Sequence, residues 1–212
     1  MLPQVVLNMN DNPQYVVCDR GVDRSRLQIF DMAGKFVRQI RMSNVEIVSG
    51  LVSTQDRKIV LVDSIRADVL VLTEFGQLLL HFNCGLHVRE PGDIAFHDFK
   101  FYICDFQGHS ICTFDHKGDF LYKIGAEFSG GLINYPNGID ISSKGEVLIG
   151  DSHGNQFHLH VFNSLNGRLV ATFRYPNKTV SGLAGLKCAT NGNIVSLMKN
   201  LRTVFVFKTV CI

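Results

Sequence analysis

The residues of this sequence best suited to chemistry gather in short polar stretches between apolar runs. One stretch holds His153, Asn155, Gln156, Phe157 and His158, with His160 just beyond. Others hold Arg24 and Arg26, Ser64 and Arg66, the trio Phe106, Gln107 and His109, and the trio Lys199, Asn200 and Arg202. His87, Arg89, Tyr135 and Tyr175 stand between these stretches. Arg and Lys meet phosphates, Asn and Gln read base edges, and aromatic or imidazole rings stack on unpaired bases. The combination is basic, amide-bearing and aromatic, with few carboxylates.

The same residues offer little to catalysis. His158 and His160 are spaced to share one face of a strand, but a metal centre needs three or four converging ligands. No H-E-x-x-H spacing occurs, so no metal ligand, cofactor or catalytic residue is assigned and the chain is not read as an enzyme. A nucleophile elbow, a P-loop and a dinucleotide fingerprint are all absent. Asn8, Asn10, Asp11 and Asn12 lack the Gly and closing Glu of a calcium loop and read as a hairpin turn.

Composition bounds the rest. With 212 residues, 46% apolar and 19% charged, the chain can bury one large core or two small ones and is too apolar to stay disordered. A net charge of +2 excludes a uniformly basic nucleic-acid binder and still permits a local basic patch. No apolar run reaches the roughly 18 residues of a membrane helix, and the N-terminus lacks the basic and apolar segments of a signal peptide. The expectation is a cytoplasmic protein whose six cysteines are reduced and mostly in the core. The sequon Asn177-Lys178-Thr179 then carries little weight.

What must position the polar stretches is a repeat. An apolar run ends in Asp, a polar loop follows, and then come a second apolar run, a turn with Gly and a third run. Tyr15-Val16-Val17-Cys18-Asp19 leads the first copy, Ile59-Val60-Leu61-Val62-Asp63 the second, Phe101-Tyr102-Ile103-Cys104-Asp105 the third and Val147-Leu148-Ile149-Gly150-Asp151 the fourth. A fifth, degraded copy starts at Ile194. From Asp19 to Asp63, Asp63 to Asp105 and Asp105 to Asp151 the spacings are 44, 42 and 46 residues. A short apolar segment precedes each copy, for example Gly138-Ile139-Asp140-Ile141. Four short strands per period of about 40–45 residues is the blade signature of a β-propeller. Five four-stranded blades are predicted in one domain, spanning about 1–42, 43–84, 85–128, 129–175 and 176–212. The Asp at the end of each second strand is expected to accept hydrogen bonds from the backbone of its own loop.

Tyr135-Pro136-Asn137-Gly138-Ile139-Asp140, followed by Gly145-Glu146-Val147-Leu148-Ile149-Gly150-Asp151-Ser152-His153-Gly154-Asn155, resembles an NHL repeat. The resemblance covers nearly the whole chain and is closest to the TRIM-NHL and Brain tumor group of RNA-binding translational repressors. Propellers of that group have six blades, so the resemblance implies that a blade is missing at the N-terminus, the alternative being an unusual five-bladed ring. No RING, B-box or coiled-coil segment is seen, and ubiquitin-ligase activity is not attributed to the chain.

In a propeller the loops between second and third strands share one face with the connections between blades. The resemblance implies that this face binds single-stranded RNA, in messenger 3′ untranslated regions, and that repressor proteins are recruited, with no DNA and no membrane involved. The residues expected to carry binding are His153, Asn155 and Phe157 first, then Arg66 and Arg89, with His87, Phe106, His109, Tyr135, Lys199, Arg202 and Arg24. The alternative is a protein-interaction scaffold, such as the substrate-recognition domain of a TRIM-type ubiquitin ligase. A metal-dependent lyase or esterase of propeller type is a third reading.

Overall fold

The computed structural model describes residues 2–7, 13–20, 25–125, 133–175, 182–199 and 201–208. Arg24, the stretch from Asn8 to Asn12, the sequon at Asn177 and Cys211 lie outside them. Among the described residues the chain is all β-strand apart from one 3₁₀ turn at His153–Asn155, and no helix is long and apolar enough to cross a membrane.

Two compact units divide the chain, Met1–His87 and Val88–Ile212. The first unit holds two antiparallel sheets. One contains β1 (Leu2–Leu7), β2 (Gln14–Arg20), β3 (Ser25–Asp31) and β4 (Phe36–Arg41), and the other β5 (Val48–Ser53), β6 (Ile59–Asp63), β7 (Asp68–Leu72) and β8 (Leu78–Asn83). The second unit holds three sheets. They contain β9 (Pro91–His97), β10 (Lys100–Asp105), β11 (Ser110–Asp115) and β12 (Phe120–Ile124); then β13 (Gly138–Ile141), β14 (Glu146–Asp151), β15 (Phe157–Asn163) and β16 (Leu169–Tyr175); then β17 (Leu183–Cys188), β18 (Ile194–Met198) and β19 (Thr203–Phe207). Each sheet runs in chain order. Four strands were predicted for the fifth sheet, which shows three among the described residues.

Short runs of Val, Ile, Leu and Phe make these strands because branched and aromatic side chains fit a pleated surface packed on both sides. The middle strands carry that packing, and every residue of β6 is buried. Outer strands are wetter, with β8 alternating between exposed and half-buried positions. In the first unit Leu27, Ile29, Leu51, Ile59 and Leu61 form one core between the sheets. In the second, Tyr102, Ile111, Ile139, Val147 and Phe162 join the third and fourth sheets, and Phe157, Leu159, Leu183, Leu186 and Met198 join the fourth and fifth. Each such side chain contributes about 1.5–3 kcal/mol by leaving water.

Third and fourth strands are joined by a repeated turn. In the first sheet Asp31 accepts from Ala33 and Lys35 through its side chain. Gly34 takes the φ of +79° that the turn requires. Asp115, with Lys117, Gly118 and Asp119, repeats the device in the third sheet. The five cysteines within the described residues are free thiols. Burial pushes the thiols of Cys18 and Cys112 up to about 11 and that of Cys104 well above its ordinary value, which leaves them poor nucleophiles.

Candidate functional site

The aspartates that mark the repeat organise the loop end of each blade. Asp63, Asp105 and Asp151 are fully buried. Asp63 accepts from Ile65 in its own loop at 2.9 Å, as expected. It also accepts from Glu46 and Ile47 in the connection that enters the blade, at 2.7 and 3.2 Å. Asp105 does the same with Gly108, Arg89 and Glu90, and Asp151 with His153 and Asn134. Each carboxylate therefore latches the incoming connection to the loop.

The loops themselves share one shape. Ser64–Ala67 and Phe106–His109 are four-residue links whose last residue takes a left-handed φ, +53° at Ala67 and +52° at His109, and Arg202, the residue before β19, takes +48°. Asn155 does so in the longer fourth loop, at +59°.

In the second unit these loops build an aromatic platform. Tyr135, half exposed at 49% and itself at φ +52°, lies between the rings of Phe106 and His109. Its ring centroid is 5.2 Å from Phe106 and 4.4 Å from His109. Arg89 is exposed on the connection that Asp105 latches. The sequence places these four residues on three separate segments, and the fold brings the rings of Phe106, His109 and Tyr135 together.

A second cluster surrounds Asp151. Its Oδ1 lies 2.7 Å from Nδ1 of His153 and 3.0 Å from Nδ1 of His158, and its Oδ2 lies 3.2 Å from Nε2 of His160. The rings of His153 and His158 stack with centroids 4.0 Å apart. His158 and His160 do share one strand face, both buried. Burial raises the Asp151 carboxyl, but hydrogen bonds from His160, the Asn134 N–H and His153 outweigh it and hold the group below its ordinary value. Burial pushes His158 below its ordinary value against the pull of Asp151.

The remaining expected residues are placed as follows. Phe157 is a correction: it is 3% exposed and stacks on Phe207 at 5.0 Å. As the first residue of β15 it points between the fourth and fifth sheets, where a ring gains more from burial than from solvent. His153 is only half available, because Asp151 and His158 hold its ring. Asn155, Lys199 and Arg202 are exposed on the loops of the second unit. Arg66 and His87 belong to the first unit, where exposed Arg66 pairs with Asp68 at 3.4 Å. Sequence reasoning did not foresee the Asp151 cluster. The signal was present in the alternation of His158 and His160 behind an anchor aspartate.

No protein-family model matches this chain, and none of the curated proteins does. Among solved structures it is similar to the WD40 β-propeller domain of Doa1, with 18% identity and a TM-score of 0.64 over 96% of this chain. It is also similar to a protein of unknown function from Bacteroides caccae, with 14% identity and a TM-score of 0.62 over 88% of this chain. The chain spans 62% and 66% of the length of those two chains. The fold is thus that of a β-propeller with five blade sheets.

Proposed function

We propose that this chain is a non-catalytic binding module of the cytoplasm that takes single-stranded RNA on the loops of its second unit and represses the bound message by recruiting other proteins. The observation that carries the reading is the half-exposed Tyr135 set between Phe106 and His109. Such rings stack on splayed bases whatever their sequence, while Arg89, Lys199 and Arg202 are exposed to meet phosphates. The NHL-like phrase around Tyr135 and Asp151 supports the same reading and the assignment to the TRIM-NHL group.

The test is selection from a randomised pool of short RNAs at two salt concentrations, with Tyr135→Ala and Asn155→Ala beside the unaltered chain. Enrichment of a short motif that weakens with salt and is lost in Tyr135→Ala supports the proposal. No enrichment by a folded chain overturns it. A protein-docking scaffold is the second reading, favoured by Val204 and Val206 on β19, which are 58% and 60% exposed. Binding of that kind depends on apolar contact and responds weakly to salt.

A further inference from the structure

We propose that Asp151, His153 and His158 form a binding site for a divalent transition-metal ion, zinc above all, in the fourth blade. The site is separate from the stacking platform and does not depend on the RNA reading.

The first argument is ligand geometry. One oxygen, Asp151 Oδ1, is approached at 2.7 and 3.0 Å by two imidazole nitrogens, and the three ligand atoms all lie within 4.8 Å of one another. Tetrahedral zinc with bonds of about 2.0–2.1 Å holds its ligand atoms about 3.3 Å apart, so Asp151 Oδ1 needs to draw back by about 0.6 Å from His153 and about 0.3 Å from His158 to admit the ion. Two nitrogens and one carboxylate oxygen are a donor set that zinc accepts readily.

The second argument is the shell behind the ligands. Asp151 Oδ2 is occupied by the Asn134 N–H at 3.1 Å and by His160 Nε2 at 3.2 Å. His160 is steadied in turn by the Thr172 hydroxyl, 3.2 Å from its Nδ1. The carboxylate is thereby pinned with Oδ1 presented to the two imidazoles, the kind of outer support that orients metal ligands. His158 is fixed in β15 and buried, whereas the His153 side chain is 34% exposed, which leaves the remaining coordination positions open to water.

The third argument is charge. Two other blades set a cation against the aspartate at this place, while Asp63 of the second blade is held by the N–H groups of Glu46, Ile47 and Ile65. In the first blade Arg26 meets Asp19 at 2.6 Å, and in the third Lys123 lies 3.9 Å from Asp105. Strand register makes the third and fourth blades directly comparable. Ser110 stands opposite Asp105 as His158 stands opposite Asp151, and Lys123 stands opposite Cys112 as Thr172 stands opposite His160. The fourth blade has thus exchanged a permanently charged side chain for imidazoles. Among the described residues no Lys or Arg pairs with Asp151. A bound divalent cation supplies the charge that the exchange removed.

The experiment strips the 212-residue chain of metal, titrates it with Zn²⁺ in the absence of RNA, and repeats the titration with Co²⁺ while recording visible absorption. One equivalent of Zn²⁺ and an intense four-coordinate Co²⁺ band are expected. His153→Ala and His158→Gln should each weaken Zn²⁺ binding at least about tenfold, the lower end of what losing a supporting group costs a site. His116→Ala, on an exposed turn of the third blade, should bind as the unaltered chain does. If His158→Gln fails to fold, the half-exposed His153→Ala decides the matter. Failure of the folded chain to take up one equivalent, or a His153→Ala chain that binds as tightly as the original, overturns the proposal.

Discussion

The backbone N–H of Tyr135 donates to Nδ1 of His109 at 3.2 Å, and the two rings meet edge to face at 4.4 Å. A backbone N–H can only donate, so Nδ1 of His109 is the acceptor in this contact. The contact joins the loop of the third blade to the connection entering the fourth. It holds the Tyr135 ring in place before any ligand arrives, which limits the entropy lost on binding.

Tyr135→Ala should therefore weaken binding of a short single-stranded RNA about 5- to 150-fold, the equivalent of one stacked base at about 1–3 kcal/mol. The thermal midpoint should barely move, because half of the Tyr135 side chain is already in water. Tyr135→Phe keeps the ring and should bind nearly as well. Fluorescence anisotropy with labelled RNA at two salt concentrations checks all three expectations.

Phe157→Ala should behave in the opposite way. Its ring lies in the core against Phe207, and removing a buried Phe costs about 3–5 kcal/mol. Urea unfolding should show that loss, while the fraction of chain still folded should bind RNA with unchanged affinity. A binding defect at full stability would return Phe157 to the surface role expected from the sequence.

Gly108→Ala tests the aspartate latch. A Cβ at residue 108 would lie 1.8 Å from Asp105 Oδ2 and 2.3 Å from its Cγ, so the buried carboxylate must move and release its backbone donors. A loss of about 2–3 kcal/mol is expected from the overpacking and the unpaired groups. Gly34→Ala is the comparison. Nothing lies within 4 Å of its added carbon, and the cost should be the 1–2 kcal/mol of a left-handed backbone alone. Denaturant midpoints for the two variants separate the effects.

Asp93 predicts a pH dependence. Burial is the main cause that raises its carboxyl to about 6, and it accepts from Ile94 at 2.9 Å and Ile139 at 3.1 Å. A folded-state value above the unfolded one means that the folded chain holds its proton more tightly. Stability is fullest below about pH 4 and declines as pH rises towards 6, by a total on the order of 3 kcal/mol. Asp93→Asn should lack this decline. Unfolding free energies of the two chains at pH 4.5 and 7.5 should differ in slope, and parallel behaviour would remove the assignment.

The blades were legible because their signal is dense. Alternating Val, Ile and Leu between Gly turns, repeated with an Asp at the end of each second strand, leaves few other folds open. The role of that Asp was half legible. Its bonds to its own loop follow from local chemistry, but its bonds to the incoming connection join residues such as Glu46 and Asp63, whose partnership only the packed blade reveals. Phe157 was misplaced for a related reason. It sits at the boundary of loop and strand, and a shift of one residue there turns a side chain from solvent to core. The aromatic platform was foreseen in its members and not in its contacts. The Asp151 cluster was missed because ligand convergence was sought between blades, whereas all three groups come from one turn and its two strands.

The latch also bears on the order of events as the chain is made. Each Asp reaches back only 15 to 17 residues to the connection it holds, and closing a loop of this size takes well under a microsecond. A blade can therefore secure its own entrance as soon as its second strand has been synthesised, without waiting for its neighbour. Folding sheet by sheet is the expectation that follows, with less of the slow search for distant partners that burdens most all-β proteins.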